Sequence, residues 1–537
     1  MDGAAFEKIE SANAPFFLVT QSNPYSVIPL IKSQMDTMVV GSKTLFPHQV
    51  RGVEWMLTRE GDPAGLDDGL AGGFLCDTMG MGKTWTTLGL IQESDLRKTL
   101  LLCPLAVVQQ WTDAGFEAGL NVMHYRKDGW GSAGGLNLKA KYLYVTNYER
   151  VNVEACERLR FDRIIMDEAH VLRTGSGARY KNIYSVAKRI PYSWCLTGTP
   201  LVNHYRDVEA LYRLLRGRSE GSGVPSNGAA QEVMAAYGLH RSASWLPATE
   251  VEGLGLGPAP KEVELVLPFS TDAEAEFYRM VQGQVARQLE MHELFDTGNA
   301  LVMFKLLLRL RQISIHPQVY IQGQRRSHGG AYGRRDWAKA DGTLQSSTKV
   351  DALVGLLRSQ RQGHNWVIFC SFQDEIALLE RVLAQEKCVG LISTYHGQKK
   401  QAERLEALEE NAEACALNVD VPPSLVQMLP LPDDVCGIIQ SFVESRQNVF
   451  LVQIHAGGTG LNLQHNDRVV FMGPWWTSAL MKQAVARVYR MGQRKDVEVY
   501  RLLLEEEQTL NIDRFMMAKA QLKEELCAEL LEACAHN

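Results

Sequence analysis

The sequence predicts an α/β protein with two parallel-sheet domains and a mostly helical region between them. The chain has 537 residues, which is too long for a single hydrophobic core. Short apolar runs rich in β-branched residues alternate with helical patterns, as they do where helices cover a buried parallel sheet. This alternation occurs in two separate parts of the chain, so we expect two such sheets.

The first alternating stretch predicts a domain over residues 41–216. Its strand-like runs are GGFLCD, TLLLCP, YLYVTN, RIIMDE and SWCLTGT, and each ends in a turn or polar residue. Residues 1–40 carry no clear chemistry, and we treat them as an N-terminal extension.

Residues 217–347 predict a helical linker between the domains. Gly- and Ser-rich sequence comes first, followed by the strand-like run KEVELVLPFS and a long helical pattern. At helical spacing, apolar residues of this pattern are expected to face the interior, namely Phe304, Leu307, Leu308 and Ile315. The basic, Gly-rich end of this region predicts an exposed loop. Its arginine pairs, Arg325–Arg326 and Arg334–Arg335, either contact phosphate or are solvated.

The second alternating stretch predicts a domain over residues 348–506. Its strand-like runs are WVIFCS, CVGLIST, VFLVQIH, RVVFMG and VEVYRLL. An insertion at about 411–438 interrupts it and resembles an F-box-type helix, so it is either a helical extension of the domain or a docking site for a protein partner. Residues 507–537 predict a C-terminal helix, with Phe515 and Leu522 on its apolar face.

Composition excludes few classes of protein. The formal net charge is −6, which gives no overall signature of nucleic-acid binding but allows a locally basic cleft. There is no apolar run of membrane-spanning length and no secretory signal pattern, so we expect no membrane partner. Ten cysteines without a Cys-x-x-Cys pair predict buried thiols in a reducing compartment.

A glycine-rich turn between a strand and a helix, GGFLCDTMGMGKTWTT, predicts a phosphate site. Its glycines let backbone N–H groups surround phosphates, and the helix N-terminus favours an anion. Lys83 can reach the β- and γ-phosphates, and the Thr84 hydroxyl can bind Mg²⁺. The strict pattern has glycine where Asp77 stands. The candidate nucleotide-binding residues of this turn are Asp77, Gly80, Gly82, Lys83 and Thr84.

The run FDRIIMDEAH predicts the acidic half of the same site. An apolar strand delivers Asp167 and Glu168 at its carboxyl end. Asp167 is expected to hold Mg²⁺ together with Thr84. Glu168 is expected to orient and deprotonate the attacking water.

These two motifs belong to a longer series that resembles superfamily-two helicases and, within them, the SWI/SNF-like (Snf-type) ATPases. LFPHQVRGVEWML resembles the Q motif, LLCPLAVVQQW motif Ia, LTGTPLVNHYRDVEALYRLL motif III, VFLVQIHAGGTGLNLQ motif V and GPWWTSALMKQAVARVYRMGQ the segment that ends in motif VI. The resemblance implies two RecA-like lobes that hydrolyse ATP with Mg²⁺ and act on double-stranded DNA. It also places Gln49 in the adenine-reading position and Gly460 in the nucleotide site.

The chain departs from its nearest branch, the repair-associated enzymes, in two respects. Thr78 stands where the family usually has an acidic residue. No cysteine occurs between Arg216 and Thr348, so the RING zinc domain common in that branch is not expected.

Two arginines complete the expected catalytic set. Arg487 and Arg490 are three positions apart and would share one helix face. There they can face the γ-phosphate as arginine fingers, contributed by the second lobe. Gln483 lies in the same segment, and we expect it to face the nucleotide in the cleft.

Family analogy also supplies candidates for contact with the DNA backbone. A motor that passes over any sequence needs backbone contacts rather than base contacts. The candidates are Gln109, Gln110, Thr146, Ser371, Gly458, Thr459 and Asn462.

The sequence therefore predicts a DNA-dependent ATPase that translocates on duplex DNA and remodels protein–DNA complexes in chromatin, repair or transcription. The alternatives are a strand-separating helicase on DNA or RNA, a restriction- or repair-associated motor lacking its partner subunit, and an ATP-gated DNA-binding scaffold with little turnover. We expect a monomeric motor. It would act in the nucleus of a eukaryote, or otherwise in the cytoplasm or a viral factory.

Overall fold

The computed structural model describes residues 37–61, 71–126, 129–137, 139–216, 227–242, 245–247, 250, 257–294, 300–328, 332–360, 363–417, 446–457, 461–490, 493, 495–505, 511–532 and 534. Most of the predicted N-terminal extension and of the predicted insertion lie outside the described residues. The same holds for Gly458, Thr459 and Gly460, so the predictions for these positions stay predictions.

The first lobe is built on a mostly parallel sheet. A short antiparallel pair, β1 (Val39–Val40) and β2 (Lys43–Thr44), precedes it. The strands of the sheet are β3 (Gly72–Leu75), β4 (Lys98–Cys103), β5 (Asn121–Arg126), β6 (Gly129–Ser132), β7 (Tyr142–Asn147), β8 (Arg163–Asp167), β9 (Tyr192–Leu196) and β10 (Gly238–Leu239). Their spatial order among the described residues is β10-β3-β9-β8-β4-β7-β5-β6, and β6 runs antiparallel to β5.

Helices cover both faces of this sheet, because alternate residues of each strand point to opposite sides. Leu100 and Leu102 of β4 pack in the core on one face, and Leu101 and Cys103 pack in the core on the other. The helices are α1 (Pro47–Gly61), α2 (Lys83–Glu93), α3 (Val108–Glu117), α4 (Val153–Leu159), α5 (Ala178–Ala187), α6 (Arg206–Arg216) and α7 (Asn227–Tyr237).

The second lobe is built on a parallel sheet. Its strands are β11 (Lys261–Leu267), β12 (Asn365–Cys370), β13 (Val389–Tyr395), β14 (Gln447–Gln453), β15 (Arg468–Phe471) and β16 (Glu498–Leu504), in the spatial order β11-β16-β15-β12-β14-β13. The helices that follow the first lobe are α8 (Asp272–Leu294), α9 (Ala300–Ile315), α10 (Pro317–Ser327), α11 (Thr348–Ser359), α12 (Gln373–Leu383), α13 (Gln401–Leu417), α14 (Ile454–Gly457), α15 (Ser478–Val488) and α16 (Ile512–Glu532). The predicted fold class, two parallel-sheet lobes with helices between them, is confirmed.

The two sheets extend beyond the predicted domain boundaries. Both β10 and β11 lie in the region predicted as the linker, yet β10 pairs with β3 of the first sheet and β11 pairs with β16 of the second. The run KEVELVL is therefore the edge strand of the second lobe, although it precedes residue 348. Its strand-like pattern was visible in the sequence, but the sheet that a strand joins depends on long-range pairing.

Three apolar residues that the helical patterns predicted to be buried are exposed. Phe304 is 60% exposed, Leu308 36% and Leu522 51%. Helix α9 packs through Leu310 and Ile313, both buried. Ile315 of the predicted set is also buried. Periodicity identified the helices, but the face that is buried depends on the position of the neighbouring elements.

The C-terminal helix α16 contacts both lobes. Near its start, Ile512 and Met516 pack in a cluster that also contains Leu504 at the end of β16. Near its end, Cys527 and Leu530 pack in the core of the first lobe. One continuous helix therefore connects the hydrophobic cores on the two sides of the cleft.

The expectation of buried thiols is confirmed for the described cysteines. They are nine free thiols, all buried except Cys388, which is partly exposed. Within the same described part of the chain, no cluster of three or more histidine, cysteine or acidic side chains could hold a metal ion. None of the described helices is both long and apolar enough to cross a bilayer.

Candidate nucleotide site between the two lobes

The phosphate loop follows β3 and ends where α2 begins. Gly80 and Gly82 have φ angles of +86° and +78°, in the left-handed region that side chains other than glycine rarely occupy. The ammonium group of Lys83 donates to the carbonyl oxygen of Asp77 at 2.7 Å. The backbone of the loop therefore curves around an open space, and the Lys83 side chain lies beside that space, as predicted from the glycine spacing.

Gln49 supports this loop from behind. Its side chain is buried, and its amide nitrogen lies 3.3 and 3.4 Å from the carbonyl oxygens of Met81 and Gly82. Its amide oxygen accepts from the backbone N–H of Phe46 at 3.0 Å. Both ends of the amide are thus engaged, and Gln49 does not line the cavity described below. Its predicted contact with adenine stays a prediction.

The carboxylate of Asp77 differs from its predicted role. It is fully buried and forms a two-pronged ion pair with Arg241, whose Nε lies 2.9 Å from Oδ1. Only the main-chain carbonyl of Asp77 contacts Lys83. The acidic side chain anchors the loop to the segment after β10 rather than facing a phosphate. Sequence reasoning missed Arg241, because it lies far along the chain in a region predicted as linker.

Asp167 and Glu168 lie at the carboxyl end of β8, as predicted. Oδ2 of Asp167 accepts from the indole N–H of Trp111 at 2.7 Å. Burial, with the adjacent charge of Glu168, raises the pKa of Asp167 to about 6. Glu168 itself has a φ angle of +51°, a strained conformation of the kind that clusters at functional sites.

Glu168 makes a direct contact between the two lobes. Oε1 of this residue accepts from Nη2 of Arg487 at 3.3 Å, and its other oxygen lies 3.5 Å from Nδ1 of His170. Burial opposes ionisation of Glu168, but His170 when protonated, together with Arg487 and Lys83, lowers the pKa of its carboxyl below the usual value. The carboxyl is therefore held ionised, as a base requires.

Arg487 and Arg490 line the same cavity, but they do not share one helix. Arg487 is on α15, which ends at Val488, and Arg490 follows the helix end. Burial and then the charge of Arg487 lower the pKa of Arg490. Its Nη1 donates to Oδ1 of Asn462 at 3.3 Å. The two guanidinium groups nevertheless converge on one site, as predicted.

The cavity between the lobes has a volume of about 530 Å³. It brings together the predicted catalytic residues with the loop glycines and Thr84. Two residues predicted to contact DNA, Gln110 and Asn462, also line it. The predicted residues that line this cavity are Gly80, Gly82, Lys83, Thr84, Gln110, Asp167, Glu168, Asn462, Arg487 and Arg490.

Other predicted residues lie elsewhere. Gln483 is buried and lines a second inter-lobe cavity together with Ser371, one helical turn before Arg487 on α15. Thr146 is buried at the end of β7, so its side chain does not reach a DNA surface. Gln109 is exposed, and its amide donates to Asp113 at 2.8 Å.

A hydrogen bond connects the acidic motif with the TGT segment after β9. Nδ1 of His170 and the hydroxyl of Thr197 are 3.2 Å apart, and both side chains are buried. His170 also contacts Glu168. The sequence contained both motifs, but it did not indicate which of their atoms meet.

The fold and this cavity define a two-lobed, helicase-like ATPase. A family model described as the SNF2-related domain matches residues 48–222, and one described as the helicase conserved C-terminal domain matches residues 433–492. Over these two ranges the chain is similar to SNF2-related and helicase C-terminal domains.

Several curated relatives resemble most of the chain. The "Probable global transactivator" of Orgyia pseudotsugata multicapsid polyhedrosis virus is 26% identical, and the match covers 94% of each chain. "DNA repair protein RAD5" of Yarrowia lipolytica is 22% identical over 84% of this chain, and "CHD3-type chromatin-remodeling factor CHR7" of Arabidopsis thaliana is 24% identical over 85%. The chain spans only 55% and 36% of the length of these two larger relatives.

A solved structure also matches along the chain. It is the SWI2/SNF2 ATPase core of Sulfolobus solfataricus in complex with dsDNA, with 20% sequence identity and a TM-score of 0.35. The match covers 92% of this chain and 97% of that chain.

Proposed function

We propose that this chain is a DNA-dependent ATPase that translocates along double-stranded DNA and displaces or remodels bound proteins. The contact between Arg487 and Glu168 supports this most strongly. It joins a cation of the second lobe to the candidate base of the first lobe inside one cavity. A triphosphate in this cavity would touch both lobes, so its hydrolysis would change their relative position.

The residues of the cavity fit ATP and Mg²⁺. Lys83 now donates to a main-chain oxygen of its own loop, an acceptor that phosphate oxygens would replace. Thr84 and Asp167 both line the cavity and carry oxygen donors of the kind that a hard cation prefers. Bound Mg²⁺ would neutralise phosphate charge. Lys83 and the loop N–H groups would hold the phosphates in place.

The side chains of the cavity have separate roles in ATP hydrolysis. Glu168, held ionised, orients a water and takes its proton. Arg487 and Arg490 stabilise the charge that develops on the transferred phosphoryl group, an effect worth about 10³–10⁵ in rate for a single arginine finger. Because both arginines come from the second lobe, hydrolysis requires a closed cleft.

The link from His170 to Thr197 gives a route from the nucleotide to the rest of the first lobe. Glu168 contacts His170, and His170 contacts the TGT segment. A change of charge next to Glu168 would therefore alter a buried hydrogen bond outside the cavity. We infer that this segment transmits the nucleotide state to the lobe motion.

We infer that the motor moves along DNA, because the names of the relatives include a DNA repair protein and a chromatin-remodeling factor.

We propose a monomeric motor. A protein partner for the predicted insertion is a separate proposal, because most of that segment lies outside the described residues. Action in the nucleus or at a site of viral replication would follow from the chromatin-related and viral relatives.

The decisive experiment is steady-state ATP hydrolysis with and without blunt duplex DNA. We expect the duplex to stimulate turnover, and Lys83→Ala to abolish it. A triplex-displacement assay should then show movement along the duplex, whereas a forked substrate should not be unwound. Turnover that does not depend on DNA, or full turnover by Lys83→Ala, would contradict the proposal.

A further inference from the structure

A second cavity of about 490 Å³ lies between the lobes, next to the nucleotide cavity. We call it the Arg311 cavity, after the residue of α9 that lines it. The first lobe contributes Arg173 and Asn203, and the second contributes Ser371, His455 and Trp475. None of the described residues that line it carries a carboxylate. Its charged groups are therefore cationic, in contrast to the acidic net charge of the whole chain.

Arg311 is an unusual cation for a protein interior. Its side chain is only 6% exposed, and its guanidinium donates to the hydroxyl of Ser371 at 2.9 Å. The guanidinium carbon lies 4.3 Å from the ring centroid of Trp475 and 5.5 Å from that of Phe372. Within the described part of the chain no carboxylate is in direct ion-pair contact with it, and the carboxyls of Glu375 and Asp513 act on it from a greater distance. A guanidinium has five N–H donors, so most of them lack a described acceptor.

Such an arrangement favours an anionic ligand. Burying a cation without a partner is costly, and an anion bound beside it offsets that cost. The aromatic rings fix the plane of the Arg311 guanidinium, which pre-orients its donors for the oxygen atoms of a phosphate. Arg173, held by a 3.2 Å hydrogen bond to the carbonyl oxygen of His170, adds a second guanidinium from the opposite lobe.

An exposed aromatic side chain contacts Trp476, which lines the cavity. Phe304, which is 60% exposed, lies 6.3 Å from the ring of Trp476 in an edge-to-face arrangement. Leu308, also exposed, lines the cavity itself. Cationic groups next to exposed aromatic rings are typical of surfaces that bind nucleic-acid strands, whereas a site for a free anion needs no such surface.

We propose that the Arg311 cavity binds a backbone phosphate of the DNA strand that the motor follows, with Arg311 as its principal ligand. This inference rests on the proposed function and adds a specific contact to it. Since Arg173 and Arg311 approach from different sides of the cleft, both reach the phosphate only when the lobes are close together. Binding of the DNA phosphate in this cavity would therefore require the same closed cleft as the contact between Arg487 and Glu168.

The test compares three charge-removing variants in the full-length chain. Arg311→Gln and Arg173→Gln each remove one proposed ligand. Arg358→Gln removes a surface arginine of α11 that pairs with Glu386, and it serves as the matched control. The affinity for a blunt duplex is measured over a series of salt concentrations, together with the melting temperature of each variant.

We expect Arg311→Gln and Arg173→Gln each to weaken duplex binding by about tenfold at low salt, as the loss of one charged contact does. Each should also reduce the slope of log Kd against log salt by about one, which is the signature of one lost phosphate contact. Arg358→Gln should change neither quantity. If Arg311→Gln does not fold, Arg173→Gln, which lies on a different element, decides the outcome.

Two results would overturn the inference while leaving the proposed function intact. In the first, duplex binds and stimulates the wild-type chain, but both variants keep the wild-type affinity and salt slope. In the second, inorganic phosphate alone raises the melting temperature of the wild type but not of Arg311→Gln, with DNA affinity unchanged, which would assign the cavity to a free anion. A wild-type chain that neither binds duplex nor responds to it would instead contradict the proposed function.

Discussion

The ammonium group of Lys349, at the start of α11, lies 2.6 Å from the carboxylate of Asp513, at the start of α16, and both side chains are almost completely buried. Asp513 also accepts from the backbone N–H of Leu504 at 3.0 Å. Replacing Lys349 with Met should destabilise the fold by about 3–5 kcal/mol, because a buried carboxylate would lose its cation. Chemical denaturation would measure this change.

The exposed pair of Lys261 and Glu498, 3.2 Å apart, is the control for that prediction. Lys261→Met should change the free energy of unfolding by about 1 kcal/mol or less, because solvent screens exposed pairs. Equal effects of Lys349→Met and Lys261→Met would mean that the buried pair does not fix the C-terminal helix in place.

Arg487→Ala should lower the kcat of ATP hydrolysis by about 10³ or more, since it removes an arginine finger. Nucleotide binding should change much less, because Lys83 and the loop remain. Stopped-flow binding of a fluorescent ATP analogue, together with turnover assays, separates the two effects. Arg179→Ala, an exposed arginine of the first lobe that pairs with Glu149, should turn over ATP at the wild-type rate. A small effect on kcat in Arg487→Ala would refute the finger role.

Arg241→Met should both destabilise the first lobe and weaken ATP binding. The change would leave the fully buried carboxylate of Asp77 without a cation next to the phosphate loop, which costs about 3–5 kcal/mol. Arg213→Met, which breaks a pair between the half-exposed Arg213 and Glu209, should have little effect on either measurement. If Arg241→Met binds ATP like the wild type, the loop does not depend on this anchor.

The stability of the second lobe should fall as pH rises towards neutrality because of Glu375. Burial raises the pKa of this carboxyl to about 7, from an ordinary value of 4.5. The folded state thus holds its proton more tightly than the unfolded state, so the stabilisation is complete below about pH 4.5 and is lost as pH rises through 7. The loss amounts to about 3 kcal/mol at most.

Glu375→Gln removes this titration. Between pH 5 and about pH 8, the wild type should lose stability relative to the variant, as measured by denaturation at each pH. Parallel pH profiles for the two proteins would show that Glu375 titrates normally.

Local sequence pattern was sufficient to predict most of the strands and the catalytic set. The five strand-like runs of each predicted domain correspond to β3, β4, β7, β8 and β9 and to β12 through β16. Lys83, Asp167, Glu168 and Arg487 meet in one cavity, because each stands at a strand end or helix position that its motif specifies. These features depend on short stretches of chain and on spacing within them.

Features that depend on tertiary contacts were not predictable in the same way. The pairing of Arg241 with Asp77 joins residues 164 positions apart, and the indole of Trp111 reaches Asp167 from another element. Gln483 lines a different cavity from Arg487, although the two lie one turn apart on the same face of α15. No periodicity in the sequence carries this information.

The helix α16 has a mechanical consequence for the cycle. With 21 residues, it is about 30 Å long, and it is fastened at one end by Asp513 and at the other by Leu530 in the opposite lobe. A rigid helix that is attached to both lobes limits the distance between them. The cleft can open further only if one of the two attachments bends or shifts. We therefore expect α16 to limit how far the cleft opens, whatever occupies the nucleotide cavity.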